Sequence, residues 1–186
     1  KFHVYTYIFL TMALIKTIKG KKPVFGKDCY LSENATVVGE VIMGDNCSVW
    51  FNAVLRADVC SIKLGNNCNI QDGAMIHGTL NHSKTVMGDN VSIGHNAIVH
   101  GAAIEDNVLI GMGAIVMDNA VIKTGSIVAA GSVVLANTVV EPNVIYAGAP
   151  AKKVKDVDER MKNVVDKTPS NYIMYSKWFT EPESEL

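Results

Sequence analysis

An aliphatic residue recurs every six positions through most of this 186-residue chain. The anchors are Leu31, Val37, Met43, Val49 and Leu55, then Leu64, Ile70 and Ile76, then Met87, Ile93 and Val99. After a one-residue slip they continue as Ile104, Ile110, Val116, Ile122, Val128, Val134 and Val140. Helices repeat near 3.6 and strands at 2, so neither explains a period of six. One side of a triangular coil does. Each hexad then supplies a short strand and a corner, and corners favour Gly, Asn and Asp. Those residues often follow the anchor, as in Met43-Gly44-Asp45-Asn46 and Met87-Gly88-Asp89-Asn90. Four positions after nearly every anchor lies a small or β-branched residue, such as Ala35, Cys47, Ala74, Ala97 or Ser126. Anchor and small residue both point into a narrow prism. Three hexads close a coil of about 18 residues, so the eighteen anchors imply about six stacked coils of parallel strands, a hexapeptide β-helix. The competing fold is a β-sandwich, and the unbroken run from Ile104 to Val140 argues against it.

The expected organisation is all-β with a helical end. Residues 12–30 read as an N-terminal strand or hairpin, 31–151 as the β-helix and 152–186 as a C-terminal helical segment. Val154, Val157, Met161, Val164 and Val165 recur at helical spacing and predict an amphipathic helix over about 152–167. Pro169 should end it, and Tyr172 to Phe179 should form a second short helix. Three extra residues enter between Leu55 and Leu64, and five between Ile76 and Met87. Loops extruded from a rigid repeat are common sites of function. Residues 1–11 are crowded with aromatic and aliphatic side chains and precede Met12. They read as a non-native or upstream segment, with a targeting segment as the alternative, although no clear cleavage site follows.

Charge narrows the function. Seventeen Lys and Arg oppose eighteen Asp and Glu, a formal net charge of −1. That balance gives no support for a nucleic-acid or polybasic membrane role. No apolar run reaches the roughly 18 residues of a membrane span, and the chain reads as cytoplasmic. Cys29, Cys47, Cys60 and Cys68 form no C-x-x-C pair, so they read as small buried hydrophobes rather than a zinc site.

The period also places the histidines. His77 follows anchor Ile76 and His100 follows anchor Val99, on the same side of adjacent coils. They should stack roughly 5 Å apart. Arg56, after Leu55, extends that column by one coil. His95 lies two residues after Ile93, near a different corner. Three histidines with a fourth position left to water form a catalytic zinc set. His95 reaches such a site only from a neighbouring subunit across a three-fold axis, which implies a trimer. The competing reading is ordinary polar surface.

Several segments carry a family resemblance. They are Val49-Trp50-Phe51-Asn52-Ala53-Val54-Leu55-Arg56-Ala57-Asp58, Asn69-Ile70-Gln71-Asp72-Gly73, Ile76-His77, His95 through Gly101, and Ile145-Tyr146-Ala147-Gly148-Ala149-Pro150-Ala151. Over about residues 12–165 the chain resembles the γ-class carbonic anhydrases. The resemblance implies a left-handed β-helix, a homotrimer with interfacial metal sites, and reversible hydration of carbon dioxide to bicarbonate by a metal-bound hydroxide. The metal would be Zn2+, with Fe2+ or Co2+ as alternatives, held by His77, His95 and His100. Gln71 would orient the reacting water, and Asn69 and Tyr146 would line the pocket. Arg56 and Asp58 would pair across the subunit interface, and Asp72 would support the site beside His95. A neutral amide such as Gln71 holds a hydroxide without taking its proton.

The chain departs from the best-studied members of that family. Val59 stands after Asp58 where Glu is expected, and Gly78 to Thr85 contains no Asp or Glu. Acidic proton carriers are therefore missing, although His82 lies in that loop and could shuttle a proton. Rival readings are a hexapeptide acyltransferase with His82 as base, an acyl-CoA thioesterase on the same scaffold, and a catalytically weak metal-binding homologue.

Overall fold

Burial follows the six-residue period in the computed structural model, which describes residues 12–181. Every anchor from Val37 to Val140 is buried, and Leu31 is partly buried against them. The expectation about residues 1–11 lies outside the described residues. The chain winds as a parallel β-solenoid, and the hexapeptide repeat fits the left-handed β-helix.

Three faces make up the prism. The first face carries seven parallel strands, from Tyr30–Leu31 to Val144–Gly148. That is one more than six coils require. Tyr146 pairs in register with Val128 and so takes an inward anchor place. The second face carries anchors Val37, Leu55, Ile76, Val99, Val116 and Val134, and the third carries Met43, Leu64, Met87, Ile104, Ile122 and Val140. Strands Thr36–Met43 and Val54–Leu64 turn the corner between these two faces and join them into one sheet.

Asparagine builds one of the corners. Asn46, Asn67, Asn90 and Asn107 all have positive φ, between 55 and 58°. Asn tolerates that conformation better than most L-residues. The side-chain amides of Asn46, Asn67 and Asn90 each donate to the next Asn oxygen along the stack, at 3.3, 2.9 and 3.0 Å. Beside this ladder the thiols of Cys29, Cys47 and Cys68 each donate to a glycine carbonyl of the following coil at 3.1 Å. All four cysteines are free thiols.

The C-terminal segment differs from the sequence expectation. Ala151–Asp156 is a strand, antiparallel to Val144–Gly148, where a helix was expected. It pairs with the open edge of the last coil, and that demand for hydrogen bonds outweighs the helical spacing of the valines. A single helix, α1 (Glu159–Thr180), then runs straight through Pro169. An internal proline costs about 3 kcal/mol in an isolated helix. Here both halves are held on the first face. Val165 packs with Ile127 and Ile145, and beyond the proline Tyr172 and Phe179 pack edge-on against Trp50. Asp158 caps the helix by accepting from Met161 N at 2.9 Å. Asp158→Ala is expected to destabilise the α1 end by about 1 kcal/mol, read as faster amide exchange in its first turn. No helix is long and apolar enough to cross a membrane among the described residues.

Candidate metal centre

Strand pairing sets His77 directly opposite His100 on the second face. Their ring centroids are 5.2 Å apart, and His77 Nδ1 lies 3.2 Å from His100 Nε2. Each ring is backed by a carboxylate. Asp58 Oδ1 is 3.1 Å from His77 Nε2, and Asp118 Oδ2 is 2.9 Å from His100 Nδ1. An ionised carboxylate only accepts, so each histidine turns its N–H outward to its Asp. The two remaining nitrogens then carry lone pairs that face one another. Two acceptors at 3.2 Å repel unless a cation joins them. Imidazoles oriented by outer carboxylates, with converging nitrogens, supply two ligands of the kind a divalent ion takes.

The surroundings of His77 favour its neutral form. Burial pulls the His77 imidazole down, against its hydrogen bond to Asp58, and the Arg56 guanidinium pulls it lower still. A neutral ring is the ligating form. Arg56 Nη2 lies 3.4 Å from His77 Nδ1, and its Nη1 donates to both Asp58 oxygens at 3.0 and 2.8 Å. The family resemblance places this ion pair across an interface. In the structure Arg56 and Asp58 pair within one chain, because alternate residues of one strand project to the same side. Burial pushes the Asp58 carboxyl up, but hydrogen bonds from Arg56 and His77 outweigh it and hold it below its ordinary value.

Asp118 is a member that the sequence reading missed. Its Oδ1 accepts from Thr79 Oγ1 at 2.9 Å and from Ser83 Oγ, so it ties the extruded loop to His100. Burial again works upward, but hydrogen bonds from Ser83, His100 and Thr79 hold this carboxyl at about 2. The signal was present in the register: Asp118 lies two residues after Val116, one coil beyond Val99-His100. Asp118→Asn is expected to weaken metal affinity by about 10–100-fold, read by competition with a chromogenic chelator.

The remaining residues collect elsewhere. His95 Nδ1 is 2.8 Å from Asp72 Oδ2 at the corner between the first and second faces. Gln71, 5% exposed, donates from Nε2 to Asn69 Oδ1 at 3.0 Å, and Asn69 donates to Ser92 Oγ at 2.8 Å. Within one chain the His95 corner does not join the His77–His100 pair. Among the described residues no three His, Cys, Asp or Glu side chains converge as metal ligands.

Tyr146 does not belong to either group. It faces the core three coils beyond the strand that precedes His95, and its hydroxyl donates to Glu141 Oε2 at 2.9 Å. The resemblance implies a pocket role for it; within one chain the period runs one hexad further than the anchor count and turns the ring inward. A different phenol reaches the site. Tyr172 of α1 lies with its hydroxyl 3.4 Å from His95 Nε2. Val165, Pro169 and Tyr172 share one helical stripe, a signal hidden by reading Pro169 as a stop. His82 is exposed, with its Nε2 accepting from Asn119 Nδ2 at 3.2 Å.

Known proteins share this architecture. The family model described as bacterial transferase hexapeptide (six repeats) matches residues 101–136, and that of the hexapeptide repeat of succinyl-transferase matches residues 40–77. A carbonic anhydrase of Geobacillus kaustophilus is 39% identical over 89% of this chain and 91% of its own length. The mitochondrial gamma carbonic anhydrase 2 of Arabidopsis thaliana is 35% identical over 82% of this chain, which spans 57% of that protein. The crystal structure of a hexapeptide transferase family protein from Anaplasma phagocytophilum superposes with a TM-score of 0.86 at 36% identity, covering 89% of this chain and 98% of that one.

Proposed function

We propose that this chain, which belongs to the γ-class carbonic anhydrase-like family of hexapeptide-repeat proteins, catalyses the reversible hydration of carbon dioxide to bicarbonate. The observation that carries this reading is the His77–His100 pair, backed by Asp58 and Asp118, with its two free nitrogens converging. These nitrogens would hold a divalent ion, with Zn2+ as the first choice and Fe2+ or Co2+ as alternatives. When bound, such an ion acts as a Lewis acid that brings the ionisation of water to about pH 7.

His95 of a neighbouring chain completes the ligand set in this reading. The surface supports a trimer. Met75, Ile98, Ile115 and Val133 form an outward apolar stripe beside the His77–His100 column, and Ile98 is 37% exposed. In the corner column, Met112 is 60% exposed one coil beyond His95. Packing one chain's corner against the next chain's second face covers both apolar surfaces and closes a ring. Gln71 then orients the reacting water through its carboxamide, and Asn69 fixes that amide. Asp72 holds the His95 ring and leaves its Nε2 free to ligate. Tyr172, released from Nε2, bounds the pocket. With no acid at Val59 or in residues 78–85, His82 is the remaining loop group that would carry a proton to solvent.

The test is stopped-flow carbon dioxide hydration by metal-loaded protein, with acetyl-CoA hydrolysis and transfer assayed in parallel. Hydration above the buffer rate that disappears on chelation is the expected result. Turnover of the thioester alone would replace this reading with the acyltransferase or thioesterase one. Metal binding without either reaction would make the chain a catalytically weak homologue.

A further inference from the structure

A second candidate site lies on the third face, beside the corner that carries Ser83 and Gly101. Lys63, Val86, Ala103, Val121 and Val139 stand in strict register on successive strands. They point outward, because each precedes an inward anchor. Four register steps of about 4.8 Å give a straight stripe roughly 19 Å long, with a cation at one end and aliphatic side chains along the rest. The two insertions flank this stripe. Residues 59–61 and 81–84 rise beside it and enclose a cavity of about 550 Å³ floored by Val86, Ala103 and Val121.

The charge is one-sided. Lys84 lines the cavity, and no Asp or Glu does among the described residues. Neither Lys63 nor Lys84 has a carboxylate within 4.0 Å among the described residues. Val86 and Val139 remain 36% and 51% exposed. A trench with an apolar floor, an unneutralised ammonium in its wall and a second one on the same stripe matches a ligand of the opposite pattern. A carboxylate would sit at Lys84, with Lys63 adding its charge from the register position beside Val86, and an unbranched chain would run over Val86, Ala103 and Val121, burying apolar surface on both partners. We propose that this groove binds a medium-chain monocarboxylate, one per chain. It needs no metal, so it does not rest on the hydration reading.

Isothermal titration with decanoate below its micelle concentration tests the assignment, using metal-free and metal-loaded protein. Decanol supplies the chain without the charge, and acetate supplies the charge without the chain. The expected result is saturable binding of one decanoate per chain, equal with and without metal. Decanol should bind at least about tenfold more weakly and acetate not measurably. The double variant K63A/K84A changes only exposed side chains and should lose at least tenfold in decanoate affinity while leaving decanol unchanged. Three outcomes would overturn the proposal. Decanoate binding that requires metal would place the carboxylate on the ion. Equal binding of decanol, or full affinity in K63A/K84A, would reduce the groove to a greasy surface. Absence of saturable binding would remove the site altogether.

Discussion

His100→Ala should take the protein from about one metal ion per chain to essentially none, by elemental analysis after gel filtration. The truncation removes one of two converging nitrogens and leaves His77 Nδ1 without its counterpart. It also strands Asp118, whose Oδ2 has His100 Nδ1 as its partner at 2.9 Å. Loss of a Lewis acid worth several kcal/mol corresponds to a fall of about a thousandfold or more in hydration rate. The fold should survive, because the His100 side chain is partly exposed on the solenoid exterior and Val99 beneath it carries the packing. Circular dichroism and the unfolding midpoint of metal-free protein report on that. His82→Ala is the matched control and should retain its metal, since its ring contacts Asn119 rather than the pair. A variant that keeps full metal content without His100 would remove this pair from the proposed centre.

Ile110→Ala should carry the largest stability cost. Ile110 is 0% exposed and lies between Ile93 and Val128 in register, in the middle of the first face. A prism only one side chain deep has little means of collapsing onto the cavity. Truncations of this kind cost about 2–5 kcal/mol. For a chain of this size that corresponds to a drop of roughly 4–20 °C in Tm. The comparison needs equal protein concentration and metal-free samples, since association and ligand binding both raise Tm by mass action. A shift below about 2 °C at both a low and a high concentration would mean the coil stack relaxes far more freely than close packing allows.

Much of this molecule was legible because a solenoid turns sequence offset into position. Once the period is known, residue number determines coil and face. The burial of the anchors, the apposition of His77 and His100, and the placing of His95 at another corner all follow from counting. The physical reason is local. Each hexad contacts only the hexads above and below it, so the register propagates without any distant decision. Asp118, two residues after Val116, follows from the same counting.

What counting did not reach depended on contacts between elements of different kinds. Ala151–Asp156 is a strand because the last coil has an edge to pair, a property of the finished stack rather than of the segment. The α1 helix passes Pro169 because Trp50, Ile127 and Ile145 hold its two halves on one face. That passage brings Tyr172 to His95, while one additional hexad turns Tyr146 into the core. Arg56 and Asp58 meet within one strand because the insertion after Leu55 extends it past its hexad. The repeat by itself therefore determined the prism, its register and the address of each histidine. Only the tertiary structure decided which phenol faces His95 and how the C-terminal segment meets the stack, because those choices rest on packing of the helix and the last strand that the period does not govern.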